Sequence, residues 1–165
     1  MQFARLFRHL LIPAWWALRA FPDPALRAIE EAIGNSEHRH QGELRFVVEA
    51  GLPVDALWRG ESVRERAIDL FSRLRVWDSE ENSGVLIYVE LIDRRVEIVA
   101  DRGINARLGE GYWKAICARL EGEFKRGHFV NGTLSALDDI TVALGEHFPA
   151  ASENRDELPN APLVY

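Results

Sequence analysis

Apolar positions along the chain recur at two spacings, and the alternation between them outlines the fold. Phe3, Leu6, Phe7, Leu10, Ala14 and Leu18 repeat every three or four residues, with Arg5, Arg8 and Arg19 among them. That period predicts an amphipathic helix, kinked or stopped near Pro13. Asp23-Pro24 reads as a helix start, with Asp23 as cap and Pro24 as the first helical residue. Leu26, Ile29 and Ile33 supply its stripe, Glu30 and Glu31 face outward, and Gly42 marks the exit. Leu44 to Val48 is almost continuously apolar apart from Arg45, as in a strand covered on both faces. Gly51 to Gly60, holding Pro53 and Trp58, reads as a loop. Ser62-Val63-Arg64-Glu65 forms a capping box, and Ala67, Leu70, Phe71 and Leu74 carry a helix to about Trp77.

A polar loop, Asp78 to Ser83, precedes Gly84 and a second strand from Val85 to Val89. Asp93-Arg94 separates it from Val96 to Ala100, which predicts an antiparallel hairpin. Asp101-Arg102-Gly103 turns the chain. Trp113, Ile116, Cys117, Leu120 and Phe124 then mark a helix to about Lys125, ended by Gly127. Leu134, Leu137, Ile140 and Leu144 mark a last helix over about 131–147. The first strand, its helix and the second strand form a crossover, so those strands are expected to be parallel. The sheet is then mixed, with enough helices for both faces. Three parts are expected: an amphipathic helical segment over 1–22, the domain over 23–148, and a loosely ordered tail over 149–165 with three prolines.

Composition narrows the class. The 165 residues suffice for one domain with a real core, and the formal net charge of −6 argues against a nucleic-acid partner. A single cysteine, Cys117, excludes an intrachain disulfide and a cysteine-based zinc site, and reads as a small core residue. Leu10 to Leu18 is too short to span a bilayer, Pro13 interrupts it, and Phe21-Pro22-Asp23-Pro24 replaces a small-residue cleavage site. The expected compartment is therefore the cytoplasm, with membrane association left open. Residues 1–20 read either as a helix on the domain's own core or as a basic surface for anionic lipid or a protein partner.

Candidate chemistry centres on acidic residues. Asp78, Glu81 and Asn82 precede the second strand, Asp101 follows the third, and Glu43 opens the first. With the third strand antiparallel to the second, all three positions return to one edge. Oxygen ligands from Asp78, Glu81, Asn82, Asp101 and Glu43 would suit a hard divalent cation, calcium or magnesium. The alternative is a solvated loop in which Asp101 pairs with Arg102 or Arg95. His38 and His40 read as a helix-end pair, and Asp139 as more solvated than Asp138. No Walker motif, HExxH or complete GxGxxG is present, and Ser62 is better read as a cap than as the start of a nucleophile elbow.

Several of these segments together resemble the TPM domain family. Asn82 to Val89, a short turn, and Arg95 to Ile104 are similar to its central hairpin. Ala28 to Ile33 through Gly42-Glu43-Leu44-Arg45-Phe46 is similar to its first helix and strand, and Phe124 with Gly127-His128-Phe129 and Gly132 to its closing helices. The resemblance covers about residues 24–148 and is nearest to short bacterial members without a signal peptide. Asp101-Arg102-Gly103 stands where many members have a glycine-rich stretch. The resemblance implies an α/β/α sandwich and, in some members, divalent-metal binding with calcium the usual ion. It also implies weak acid phosphatase activity of the kind attributed to plant members. Two functions follow as expectations: a divalent-cation-binding interaction or assembly module, or a weak metal-dependent phosphatase with Arg95 and Arg102 as a phosphate clamp.

Overall fold

The computed structural model describes residues 9, 15–79, 81–150 and 158–165. Of the expected N-terminal helix, 1–8 and 10–14 lie outside the described residues, and Trp15–Ala20 is helical (α1). Next come α2 (Asp23–Glu37), β1 (Leu44–Glu49), α3 (Val54–Trp58) and α4 (Val63–Arg73). They are followed by β2 (Val85–Glu90), β3 (Arg95–Ala100), α5 (Arg102–Leu108), α6 (Glu110–Lys125), α7 (Phe129–His147) and β4 (Leu163–Val164).

The sheet runs β3-β2-β1-β4. β1 and β2 are parallel in the register Leu44↔Val85 to Glu49↔Glu90, and β2 and β3 are antiparallel from Val85↔Ala100 to Glu90↔Arg95. The mixed sheet is therefore the one the crossover and hairpin demand. Every residue of β1 and β2 is buried, which explains their nearly continuous apolar character. On one face, Ile29, Ile33, Ile116, Leu120, Leu137 and Ile140 from α2, α6 and α7 pack on Phe46, Val48 and Ile87. On the other, Ala67, Leu70 and Phe71 of α4 pack on Val47, Leu86 and Tyr88. The result is an α/β/α sandwich.

Local capping bears out some sequence signals and shifts others. Ser62 accepts from the Glu65 N–H while the Glu65 carboxylate accepts from the Ser62 N–H, so the capping box forms. α2 begins one residue earlier than expected: Pro22 is the cap, its carbonyl accepts from Ala25 and Leu26, and Asp23 is the first helical residue. The presumed loop over 51–60 contains the short helix α3, and Asp101 starts the unforeseen helix α5 rather than a simple turn. The last eight residues also depart from a loose tail. Leu163 and Val164 pair in parallel with Val47 and Val48, and the Tyr165 N–H donates to the Val48 carbonyl. Leu158 and Leu163 pack on the α4 face, so apolar side chains outweigh the prolines between them.

β3 lies at an edge of the sheet, where unpaired backbone groups invite pairing with another chain. Two long side chains cover it: Arg64 of α4 donates to the Ile98 carbonyl at 2.6 Å, and Glu121 of α6 accepts from the Val96 N–H at 3.1 Å.

The carboxyl ends of β1 and β2 carry charge inward. Glu49 is 1% exposed and lies beside the buried Tyr88. Arg66 of α4 grips Glu49 through both Nε, at 3.1 Å, and Nη2, and the Tyr88 hydroxyl donates to the same carboxylate at 2.5 Å. The hydrogen bond to Glu49 holds the Arg66 guanidinium above its usual range, and burial, then the nearby carboxylate, pushes the Tyr88 hydroxyl up. Replacing Glu49 with alanine removes the main counter-charge of the buried Arg66, leaving it only the partly exposed Asp69 at 3.3 Å, and takes the acceptor from the buried Tyr88 hydroxyl, which together typically costs about 3–5 kcal/mol. We predict a loss of that size in urea unfolding of Glu49→Ala, and a loss below about 1 kcal/mol would contradict the assignment.

Candidate functional site at the amino edge of the sheet

Register decides which loops meet at this edge. Leu44, Val85 and Ala100 lie side by side, so the chain enters at 43 and 84 and leaves at 101 on the same rim. The Glu43 carbonyl accepts from the Val85 N–H and the Gly84 carbonyl from the Asp101 N–H, both at 2.8 Å. Asn82 adopts a left-handed φ of 52°, a conformation asparagine tolerates. Its carbonyl accepts from the N–H groups of Gly103 at 3.0 Å and Ile104 at 3.3 Å, and its Oδ1 accepts from Arg102 Nε at 3.0 Å. Gly103 permits the approach: a Cβ there would lie 2.5 Å from the Asn82 carbonyl oxygen and 2.7 Å from that of Glu81. Asp101 caps α5, accepting from the Arg102 N–H at 2.6 Å.

The residues proposed from the sequence divide into three groups. Asn82, Asp101 and Arg102 are brought together, with the Glu81 carbonyl beside them. Asp78 turns away into an ion pair with Arg75, and Glu43 is buried at the start of β1. Arg95 stands at the opposite end of β3 from Arg102, near Glu121, so the two arginines do not face one phosphate. Among the described residues, no three His, Cys, Asp or Glu side chains form a group able to hold a metal ion. The oxygen donors at the rim include Asp101 Oδ2 and the Ser83 hydroxyl, both buried without a hydrogen bond among the described residues, and the loop carbonyl of Glu81. A carboxylate with backbone carbonyls is a donor set that calcium accepts, though a full shell would need water or another group.

Other candidate residues fall outside this rim. Cys117 is half-buried on α6, and burial pushes its thiol up to about 11, which leaves it a poor nucleophile at neutral pH. The Asp138 side chain is 74% exposed and that of Asp139 39%, the latter paired with Arg119 from α6, the reverse of the expected order. Sequence reading missed α5, although Ile104 and Leu108 follow Asp101 at helical spacing. It also missed the charged cluster on Glu49, because Arg66 and Glu49 are 17 residues apart in the chain.

The TPM domain profile matches residues 20–143. The chain belongs to the TPM domain family. A solved structure of BA42 from the psychrophilic bacterium Bizionia argentinensis is 30% identical to this TPM domain. It superposes with a TM-score of 0.74 over 85% of this chain and 92% of BA42. The N-terminal domain of a P. gingivalis protein shares the fold at 15% identity, with a TM-score of 0.64 over 85% of this chain and 94% of that domain. No curated protein matches the chain.

His40 lies near the rim in this TPM domain, fully buried and bridged to Pro149 beside the end of α7. Burial lowers its pKa from 6.5 to about 4, against the opposing hydrogen bond with the Gly42 backbone. Between those values the unfolded chain binds a proton that the native chain does not. The native state therefore loses stability as pH falls from about 6.5 toward 4, by up to about 3 kcal/mol. Urea unfolding at a series of pH values should show this loss in the wild type and a smaller one in His40→Gln. Identical pH profiles for the two proteins would overturn the assignment.

Proposed function

We propose that this TPM domain is a divalent-cation-binding interaction module, acting in assembly with a protein partner or at a membrane surface. One observation carries the reading: Asp101 Oδ2 is buried without a hydrogen bond among the described residues, at the seam between the 81–82 turn and α5. A cation there would join Asp101 to the loop carbonyls of Glu81 and Asn82, with the Glu81 and Asn82 side chains proposed as further ligands. Calcium is the preferred ion and magnesium the competitor, because calcium tolerates irregular oxygen shells. Docking would use residues 1–20, and Trp15 and Leu18, 57% and 45% exposed on α1, support that face. Among the described residues no helix is long and apolar enough to cross a membrane. The contact we propose is peripheral, and the compartment we propose is the cytoplasm.

The phosphatase alternative draws on Arg102, which lies next to Asn82 at the same seam. It is the weaker reading, since Arg95 lies at the other end of β3, Ser62 is engaged as a cap and the Cys117 thiol stays protonated at neutral pH.

Amide NMR during calcium titration tests the proposal. Saturable shifts are expected at Glu81, Asn82, Arg102 and Gly103, and they should vanish in Asp101→Asn. Absence of shifts at these amides would overturn the cation reading. Phosphomonoester hydrolysis that needs added metal and is lost in Asp101→Asn would replace it with the enzyme.

A further inference from the structure

At the opposite edge, beside the carboxyl end of β2, a cleft of about 310 Å³ opens between α1, the β2–β3 turn and the α6–α7 junction. Open α/β sheets usually bind ligands at the carboxyl ends of their parallel strands, and a cleft of this size suits a small molecule. Its walls are apolar: Trp16, Leu91, Phe124 and Phe129 line it. The rings of Phe124 and Phe129 lie 5.1 Å apart between centroids, tilted by 39°, and Phe21 meets both edge-on.

Its polar lining is dominated by three cations. Arg19 ends α1, Arg94 sits at the hairpin tip with φ 54°, and Lys125 ends α6. All three are exposed, and none makes a hydrogen bond or ion pair with another described residue. Elsewhere in the molecule Arg59, Arg66, Arg73, Arg119 and Arg126 are all paired with carboxylates. In a chain of net charge −6, three cations around one apolar cleft, without partners among the described residues, form a local reversal of sign. Among the described residues of the lining, the acidic one is Glu90, whose carboxylate turns into the hairpin, where it accepts from the N–H groups of Ile92 and Asp93.

We propose that this cleft binds a small amphiphilic monocarboxylate, its hydrocarbon body between Trp16 and the two phenylalanines and its carboxylate among Arg19, Arg94 and Lys125. A compact polyanion such as inorganic phosphate would leave the aromatic walls wet, and a neutral hydrocarbon would leave the cations unused. The assignment stands independently of the cation rim, which lies at the other end of the strands.

Octanoate, kept below its micellar range, is the probe. Calorimetry should show saturable binding, and the Trp16 indole N–H resonance should shift with it. Octanol should bind about tenfold more weakly or not at all, and Arg19→Ser/Lys125→Ser should weaken octanoate about tenfold while leaving octanol unchanged. Both substituted residues are exposed, and an unchanged amide spectrum verifies the fold. Equal affinity for octanoate and octanol, no saturable binding, or shifts that avoid Trp16 would overturn the proposal. So would binding to phosphatidylglycerol vesicles without binding to monomeric octanoate, which would assign the basic patch to a membrane surface.

Discussion

The grip of Arg66 on Glu49 is the constraint around which the domain is organised. β1 lies between β2 and β4 and is covered on both faces, so a carboxylate at its end has no solvent to turn to. It is satisfied by a guanidinium from α4 and a hydroxyl from β2. Those three elements meet at one carboxylate, which fixes where α4 sits along the strands. The apolar stripe of α4 would tolerate sliding by a turn, whereas a fork of two nitrogens on one carboxylate does not. Glu90, the register partner of Glu49, is equally buried and is held by backbone N–H groups of its own hairpin. The two adjacent acids thus use separate donors.

Once the strands are fixed, the two ends of the sheet differ in character. At the amino end, backbone groups knit the loops together: Asn82 receives N–H groups from α5 and Gly103 lets the chains touch. Among the described residues, what faces a ligand there is the Asp101 carboxylate oxygen, the Ser83 hydroxyl and a loop carbonyl, a modest site. At the carboxyl end the β1 side is sealed by the Glu49 cluster. Beside β2 the surface carries a cleft with aromatic walls and cations that have no ion-pair partner among the described residues. Fold and family membership do not by themselves dictate which end is used, and the chemistry of the two ends points to different ligands.

Much of this was legible in the sequence. The central strands were, since Leu44 to Val48 and Val85 to Val89 are apolar runs broken only by Arg45, and the helix α4 between them carries a complete capping box. The hairpin at Asp93-Arg94 gave the antiparallel partner and brought Asp101 back to the 78–82 loop. Legibility failed where tertiary context decides. Asp78 looks like a ligand until Arg75, three residues earlier on the chain, takes its carboxylate. Leu163-Val164 is too short to read as a strand without β1 to pair with. The α3 and α5 helices are single short stretches whose stripes hold one buried residue each, Ala56 and Ile104, too few for periodicity to register. The basic cleft was invisible because its three cations come from residues 19, 94 and 125.

The guanidinium of Arg66 offers the most direct test of this organisation. If Glu49 holds it in the interior, the Arg66 Nε–H gives a distinct, slowly exchanging resonance in ¹⁵N NMR at neutral pH. That resonance should persist in high salt, unlike those of the exposed arginines. An Arg66 Nε–H that exchanges as fast as that of Arg19 would mean that the carboxylate and guanidinium are not locked together, and the account of how α4 is positioned on the sheet would be wrong.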